Sequence, residues 1–420
     1  MNKLLAILGI ALSVVGITPD VYAADAPNIV IPATSIEDFY QQGMQKLELK
    51  DFSGAIASFT QALTTNPNNA EAYLYRALAY RGANDYESAL TDFKSALRLD
   101  SSYGNPIKTV ERHPQLNVAY EIFKTARIQY FTEAIGQNPD DAQAYFYRGL
   151  SRKNEDNQGA LADFTNVIRL QPNNAQAYLQ RGLSQTYSDS EKAIADINEA
   201  IRLQPNDPEA YFARGQIYVL SGNLTQALPD IEASIRLNTT NPDAYGVRSH
   251  IRHKFGDIPG AIADLAQVIR LKPDQAAALY TNRAELYLEI KDHQAAMADF
   301  TQAIRYSSDV KDFIGGGYPS YMAYGRRAAL RYQLKDYRGA IADYTQMIRV
   351  TPLGSAFDGA VNSSDILADI YFKRAEAHIK LKDQRSAIQD YQKAITYFQQ
   401  RGWMTENYKK ALQQLKNLQR

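Results

Sequence analysis

The sequence contains no cysteine. That excludes disulfides, a thiolate nucleophile, thiolate metal sites and a lipid-modified cysteine anchor. It contains one tryptophan, Trp403, against 29 tyrosines. Neither sign of charge is in excess, since Lys plus Arg and Asp plus Glu both number 46. A neutral chain exerts no global pull on nucleic acid or an anionic membrane, so neither is expected as a partner. Motifs of chemistry are missing too. There is no Gly-x-Ser-x-Gly and no His-Glu-x-x-His. Gly315-Gly316-Gly317 runs on to Tyr318-Pro319, where a phosphate-binding loop needs Gly-Lys-Ser/Thr. The histidines are His113, His250, His253, His293 and His378. Only His250 and His253 are close, three apart on one helix face, with Asp243 the one further ligand nearby. No metal, no cofactor and no enzymatic activity are expected.

The first residues read as a leader. Lys3 supplies a positive start, Leu4 to Gly16 is an apolar run, and Val21-Tyr22-Ala23 places small residues where a signal peptidase reads them. Cleavage is expected after Ala23, leaving Ala24 as the mature N-terminus. The alternative is an uncleaved anchor, but the run is shorter than the ~20 residues a span requires. No other segment is apolar enough to cross a bilayer, so no membrane insertion is expected after cleavage. The short, Lys-initiated leader has a bacterial look, which places the protein in the periplasm or outside the cell. The thylakoid lumen is the equivalent compartment if the source is cyanobacterial.

What the chain does have is repetition. Ala-Tyr-x-x-Arg-Gly/Ala recurs with variations at Tyr73, Tyr145, Tyr178, Tyr211, Tyr245, Tyr280, Tyr324 and Tyr371, with Phe39 in the first copy. From Tyr145 the steps are 33, 33, 34 and 35 residues; the last two, 44 and 47, are one period plus an insertion. The step of 72 from Tyr73 to Tyr145 hides a degenerate copy. A second half-motif of the type Ala-Ile-Ala-Asp-Phe-Thr-Gln-Ala-Ile-Arg-Leu-x-Pro follows each first one, as at Ala55 to Pro67, Ala160 to Pro172 and Ala261 to Pro273. Apolar spacings of three and four make both halves helical. Short polar turns such as Lys50-Asp51 and Lys335-Asp336 separate the halves, and a proline ends most units. Each unit is a helix–turn–helix of about 34 residues.

This pattern resembles the tetratricopeptide-repeat family. Gly43, Ala55, Phe59, Ala62 and Pro67 match the family spacing in the first copy, and the match recurs from about Ser35 to Gln400. The resemblance implies an all-α, right-handed superhelical α-solenoid. Ten units are read near 36–69, 70–103, 108–141, 142–174, 175–207, 208–241, 242–275, 277–310, 321–354 and 368–401. Residues 24–35 form a linker. Residues 104–114 read as loop, and an unbroken stretch from Gln115 to Ile135 makes the third unit degenerate, within 104–141. Insertions are expected at 311–320 and 355–367, and a capping helix at 405–420 with Thr405 as N-cap. Pro229 is expected to kink or shorten its helix.

Each recurring residue has a structural reading. Gly43, Gly149, Gly182 and Gly215 sit mid-helix at a cost of ~1 kcal/mol against Ala, which implies close approach of helices. Tyrosine and phenylalanine are expected to fill the spaces between small residues, Tyr211 among them. Arg76, Arg148, Arg181, Arg214, Arg248, Arg283, Arg327 and Arg374 follow the tyrosines by three. They form either an anion-binding ladder or a series of pairs with Asp92, Asp163, Asp196, Asp230, Asp264, Asp299, Asp343 and Asp390. The shared register favours pairs.

In this family the first helix of each unit lines the concave groove. The residue after the repeat aromatic and the one four further on are then the groove candidates. They are Tyr40 with Met44, Leu74 with Leu78, Phe146 with Leu150 and Leu179 with Leu183. Phe212 with Gln216 follow, then Gly246 with His250. Packing between neighbouring first helices is the alternative role for these leucines. The Lys and Asn set that clamps chaperone C-terminal carboxylates is absent, as is the asparagine ladder of sugar-transferase solenoids. The expected function is a non-catalytic scaffold for an unidentified protein or peptide in the bacterial envelope. The alternatives are a scaffold subunit of a secretion or polysaccharide-export complex, and a carbohydrate- or metal-binding solenoid.

Overall fold

A computed structural model describes residues 36–105, 120–153, 155–308, 318–350, 363–400 and 405–419. The leader, the linker, residues 106–114 and most of both insertions lie outside the described residues. Twenty α-helices and two short 3-10 turns make up the described chain, with no strand among the described residues. None of these helices is long and apolar enough to cross a membrane. The chain divides into two compact bodies, up to Tyr130 and from Phe131 onward.

In the first body α1 (Ile36–Glu48) pairs with α2 (Phe52–Thr65), and α3 (Ala70–Gly82) with α4 (Tyr86–Leu99). A 3-10 turn at Ser101–Gly104 follows, and α5 (Tyr120–Gln137) begins in this body as one unbroken helix. Phe123 of α5 stacks on Phe93 of α4 at 4.2 Å between centroids. Arg127 lies over the same Phe93 ring and donates from Nε to the Tyr103 carbonyl at 3.0 Å.

The second body is a run of antiparallel pairs: α6 (Ala142–Arg152) with α7 (Asn157–Leu170), α8 (Ala175–Gln185) with α9 (Ser190–Leu203), and α10 (Pro208–Leu220) with α11 (Leu224–Leu237). Then come α12 (Pro242–Lys254) with α13 (Ile258–Leu271) and α14 (Ala276–Glu289) with α15 (His293–Ser308). The run ends with α16 (Tyr318–Gln333) and α17 (Tyr337–Val350), α18 (Ser363–Lys380) and α19 (Gln384–Gln400), and the terminal α20 (Glu406–Leu418). Helices α16 and α18 start inside the segments read as insertions. Pro229 does not shorten α11, which keeps the fourteen residues of its counterparts α9 and α13.

Local chemistry sets these boundaries. The Asp51, Asp85, Asp156, Asp189 and Asp257 carboxylates accept from backbone amides three residues on, capping the second helix of their pairs. Such a cap stabilises a helix by roughly 1 kcal/mol. In several pairs, though not before Asp156 or Asp189, the residue before the cap turns the chain in left-handed backbone, as at Lys335 (φ 65°) and Gly256 (φ 80°).

Packing explains the mid-helix glycines. A Cβ on Gly43 would lie 2.7 Å from the Phe59 ring, and one on Gly149 2.8 Å from Phe164. The second-helix aromatics Phe59 and Phe164 fill those spaces, and they, Phe93 and Phe300 are completely buried, each worth roughly 1.5–3 kcal/mol of transfer free energy. The repeat tyrosines do something different. Tyr211 is only half-buried and carries the Arg214 guanidinium at 5.8 Å over its ring. The same stacking recurs at Tyr73, Tyr145, Tyr178, Tyr245, Tyr280, Tyr324 and Tyr371.

Candidate functional site

The repeat arginines are committed to the fold. Arg181 donates from Nε and Nη2 to the two Asp196 oxygens at 2.8 and 2.7 Å. The same two-pronged pairing joins Arg76 to Asp92, Arg214 to Asp230, Arg248 to Asp264 and Arg374 to Asp390. These aspartates are buried, and the hydrogen bonds that Arg181 donates to Asp196 hold its guanidinium above its ordinary value. Asp163, Asp264 and Asp343 each accept from a second arginine as well, Arg152, Arg252 and Arg331. With planar donors already satisfied by fixed carboxylates, this row is no ladder for external anions.

A third link was not read from the sequence. The free Nη1 of the same arginine reaches back to the preceding second helix, two residues beyond that helix's own acidic position. Arg181 donates to Thr165, Arg214 to Asn198, Arg327 to Thr301 and Arg374 to Thr345. Two residues along a helix is about 200° around it. One second helix therefore offers its Asp to its own partner and its Thr or Asn to the next repeat. The recurring Asp-x-Thr was the available signal.

The groove candidates separate by burial. Leu74 and Leu179 are completely buried, and Leu78 and Leu150 are 6% and 8% exposed. These four are packing residues and are withdrawn as ligand contacts. Tyr40 is half-buried, edge-on to Phe59 at 5.8 Å, and its hydroxyl donates to Glu71 at 3.2 Å. Phe146 stands edge-on to Phe164 at 5.9 Å, and Phe212 packs beside the Ala227–Ile231–Tyr245 cluster. Leu183 is partly buried, while Gln216 and His250 are exposed. His253, three residues on from His250, places its Nε2 2.9 Å from Glu289 Oε1.

Only Leu183 and Gln216 of that set line a recess in the second body, a space of about 300 Å³. Its other walls come from the C-terminal ends of first helices: Tyr187, Val219 and Leu220, with Val247 behind. Tyr187 is 91% and Leu220 62% exposed at its rim. A single charged group, Lys153, lines it. The Lys153 ammonium donates to Gln180 Oε1 at 2.9 Å. Desolvation pulls it below the ordinary lysine range, with the Glu209 charge acting against that shift.

Depth along the helix, not the face, distinguishes this recess from the expected groove. Residues one and eight after the repeat tyrosine differ by about 20° in direction and by roughly 10 Å in height. On the face that carries Leu179, burial falls from 0% there through the partly buried Leu183 to Tyr187, just past the end of α8, at 91%.

Comparison with known proteins agrees with the repeat reading. Models described as tetratricopeptide repeat match residues 40–103, 180–252, 252–310 and 368–400. Serine/threonine-protein phosphatase 5 of Rattus norvegicus is 34% identical over 108 residues, 26% of this chain and 21% of that protein. Small glutamine-rich tetratricopeptide repeat-containing protein 2 of Saccharomyces cerevisiae is 37% identical over 67 residues, 16% of this chain and 19% of that protein. The chain thus spans about a fifth of the length of these curated relatives. Among solved structures, yeast Tom70 aligns over 91% of this chain and 88% of its own, with 16% identity and a TM-score of 0.38. MamA from Desulfovibrio magneticus aligns over 41% and 97%, with 17% identity and a TM-score of 0.38.

Proposed function

Because the chain belongs to the tetratricopeptide-repeat family, we propose that it is a non-catalytic scaffold that holds a protein or peptide segment in the bacterial envelope. The observation that carries this reading is the open recess at the ends of α8 and α10, where Tyr187 and Leu220 stand exposed beside partly buried Leu183 and Val219. Large apolar side chains exposed side by side mark interaction sites more often than scattered single ones do. The arginines that would otherwise attract anions are occupied by Asp196 and its equivalents. Envelope location rests on the leader at residues 1–23, with Ala24 as the mature N-terminus.

A photo-crosslinking side chain at Gln216 or Leu220, in the native host, tests the binding half. Discrete protein adducts are expected from both positions and not from half-exposed Glu199 on α9. Adducts from position 199 alone would sink the assignment. N-terminal sequencing of the envelope fraction tests the rest, and a protein that retains Met1 in the cytoplasm contradicts it.

A further inference from the structure

We infer that the recess accepts a peptide segment in which a large apolar side chain stands next to a carboxylate, with Lys153 binding the carboxylate. This rests on the scaffold reading and adds the chemistry of the ligand.

The argument begins with what Lys153 lacks. An ammonium carries three donors, and one goes to Gln180 Oε1 at 2.9 Å. Gln180 is itself buried at 5% exposure, so it fixes the lysine in place. No carboxylate lies within ion-pair distance of Lys153 among the described residues, in contrast to Lys192 with Asp189 and Lys272 with Asp243. Glu209 acts on it through space without touching it. A partly desolvated charge without a contacting counter-ion is costly, so an incoming carboxylate gains more here than at an exposed lysine.

The walls supply the second half of the ligand. Eight residues after the repeat tyrosine stands Lys153 in α6, but Thr186 in α8 and Val219 in α10. The recess therefore runs from a cation at the α6 end to an apolar surface of Val219, Leu220 and Val247. About 300 Å³ admits one or two side chains, at the lower limit of small-ligand sites. A segment of chain fits, and a folded domain can engage it only through such a segment. Polarity fixes direction: the acid lies toward α6 and the apolar side chain toward α10 and α12.

A random peptide library displayed on phage, selected against the full chain, tests this. Enriched peptides should place Leu, Ile, Phe, Tyr or Trp within three residues of Asp or Glu. Synthetic copies should lose about tenfold in affinity when the acid is changed to its amide, and about the same against Lys153→Met, which keeps the stem. The two changes together should cost no more than either alone. Leu220→Ser, at an exposed position, should weaken the same peptides several-fold with an unchanged melt. Peptides weakened by Leu220→Ser but indifferent to Lys153→Met would overturn the carboxylate assignment and leave the scaffold reading standing. Peptides indifferent to both place the site elsewhere and overturn the inference. If no peptide enriches, the peptide-binding reading falls with it.

Discussion

Arg374 Nη1 donates to Thr345 Oγ1 at 2.9 Å, although 29 residues separate them. The bond closes across the segment between α17 and α18, and it repeats the geometry that Arg181 and Thr165 show 16 residues apart. The repeat interface is thus held in one register whatever length of chain lies between helices. Its hydrogen bonds form a lattice: Asp within a pair, Thr or Asn between pairs.

Loss of that link should be felt locally. Thr345→Val removes the acceptor at nearly constant volume, and a hydrogen bond of this kind contributes about 1 kcal/mol. Amide exchange in α17 and α18 should quicken while α8 to α11 stay unchanged. The converse change is available at Ala266, two residues beyond Asp264, where the lattice has no hydroxyl. Ala266→Thr should slow exchange in α13 and α14 by offering Arg283 an acceptor. Faster exchange there would contradict the register.

The aspartates should differ in weight. Asp264 accepts from Arg248 at 3.0 and 2.7 Å and from Arg252 at 2.9 Å. Asp299 pairs with Arg283. Asp264→Ala strands two partly buried guanidinium groups and should cost about 3–5 kcal/mol. Asp299→Ala should cost less. Urea melts of the two variants decide it, and equal losses would show that the second arginine adds nothing.

Glycines of one helical type should respond in opposite directions. A Cβ on Gly182 would meet Ile197 at 2.8 Å and the Ala193 carbonyl at 2.9 Å, so backbone must shift. Gly182→Ala should destabilise by about 1–3 kcal/mol. Gly246, inside α12, has nothing within 4 Å of that position. Gly246→Ala should stabilise by roughly 0.5–1 kcal/mol through helix propensity. Thermal melts of both proteins provide the comparison.

Alkali should loosen the packing around Tyr344. Burial pushes the Tyr344 hydroxyl up to about 12, with Glu376 adding to the effect. The folded state therefore holds this proton more tightly than the unfolded chain, whose tyrosine titrates near 10. The stabilisation is complete below pH 10 and disappears as pH rises toward 12, a loss of roughly 2–3 kcal/mol. Tyr344→Phe removes the ionisation and should flatten this limb. Tyrosinate absorbance recorded together with circular dichroism checks it; a loss of structure at the same pH in both proteins would exclude Tyr344 as its origin.

The sequence by itself determined the all-helical class, the helix pairs and the pairing of arginine with aspartate. These follow from local rules. A period of three and four residues, a short polar turn between the halves and two charges in constant register each act within one repeat, and each recurs often enough to be read. The direction in which a side chain points was legible for the same reason, because 3.6 residues per turn assigns it.

Accessibility was decided only by the tertiary structure. Leu179 and Thr186 share nearly one face of α8, yet Leu179 is completely buried while Thr186 lines the recess. Neighbouring helices enclose Leu179 and leave Tyr187, two turns on, exposed. That enclosure depends on how closely Gly182 lets Ile197 approach, a distance set between helices and absent from the periodicity of either. The isolation of Lys153 is likewise a tertiary property. The side chain it bonds among the described residues, Gln180, comes from the next repeat, 27 residues on. Spacing within a repeat gives direction, and packing between repeats decides which of those directions a ligand can reach.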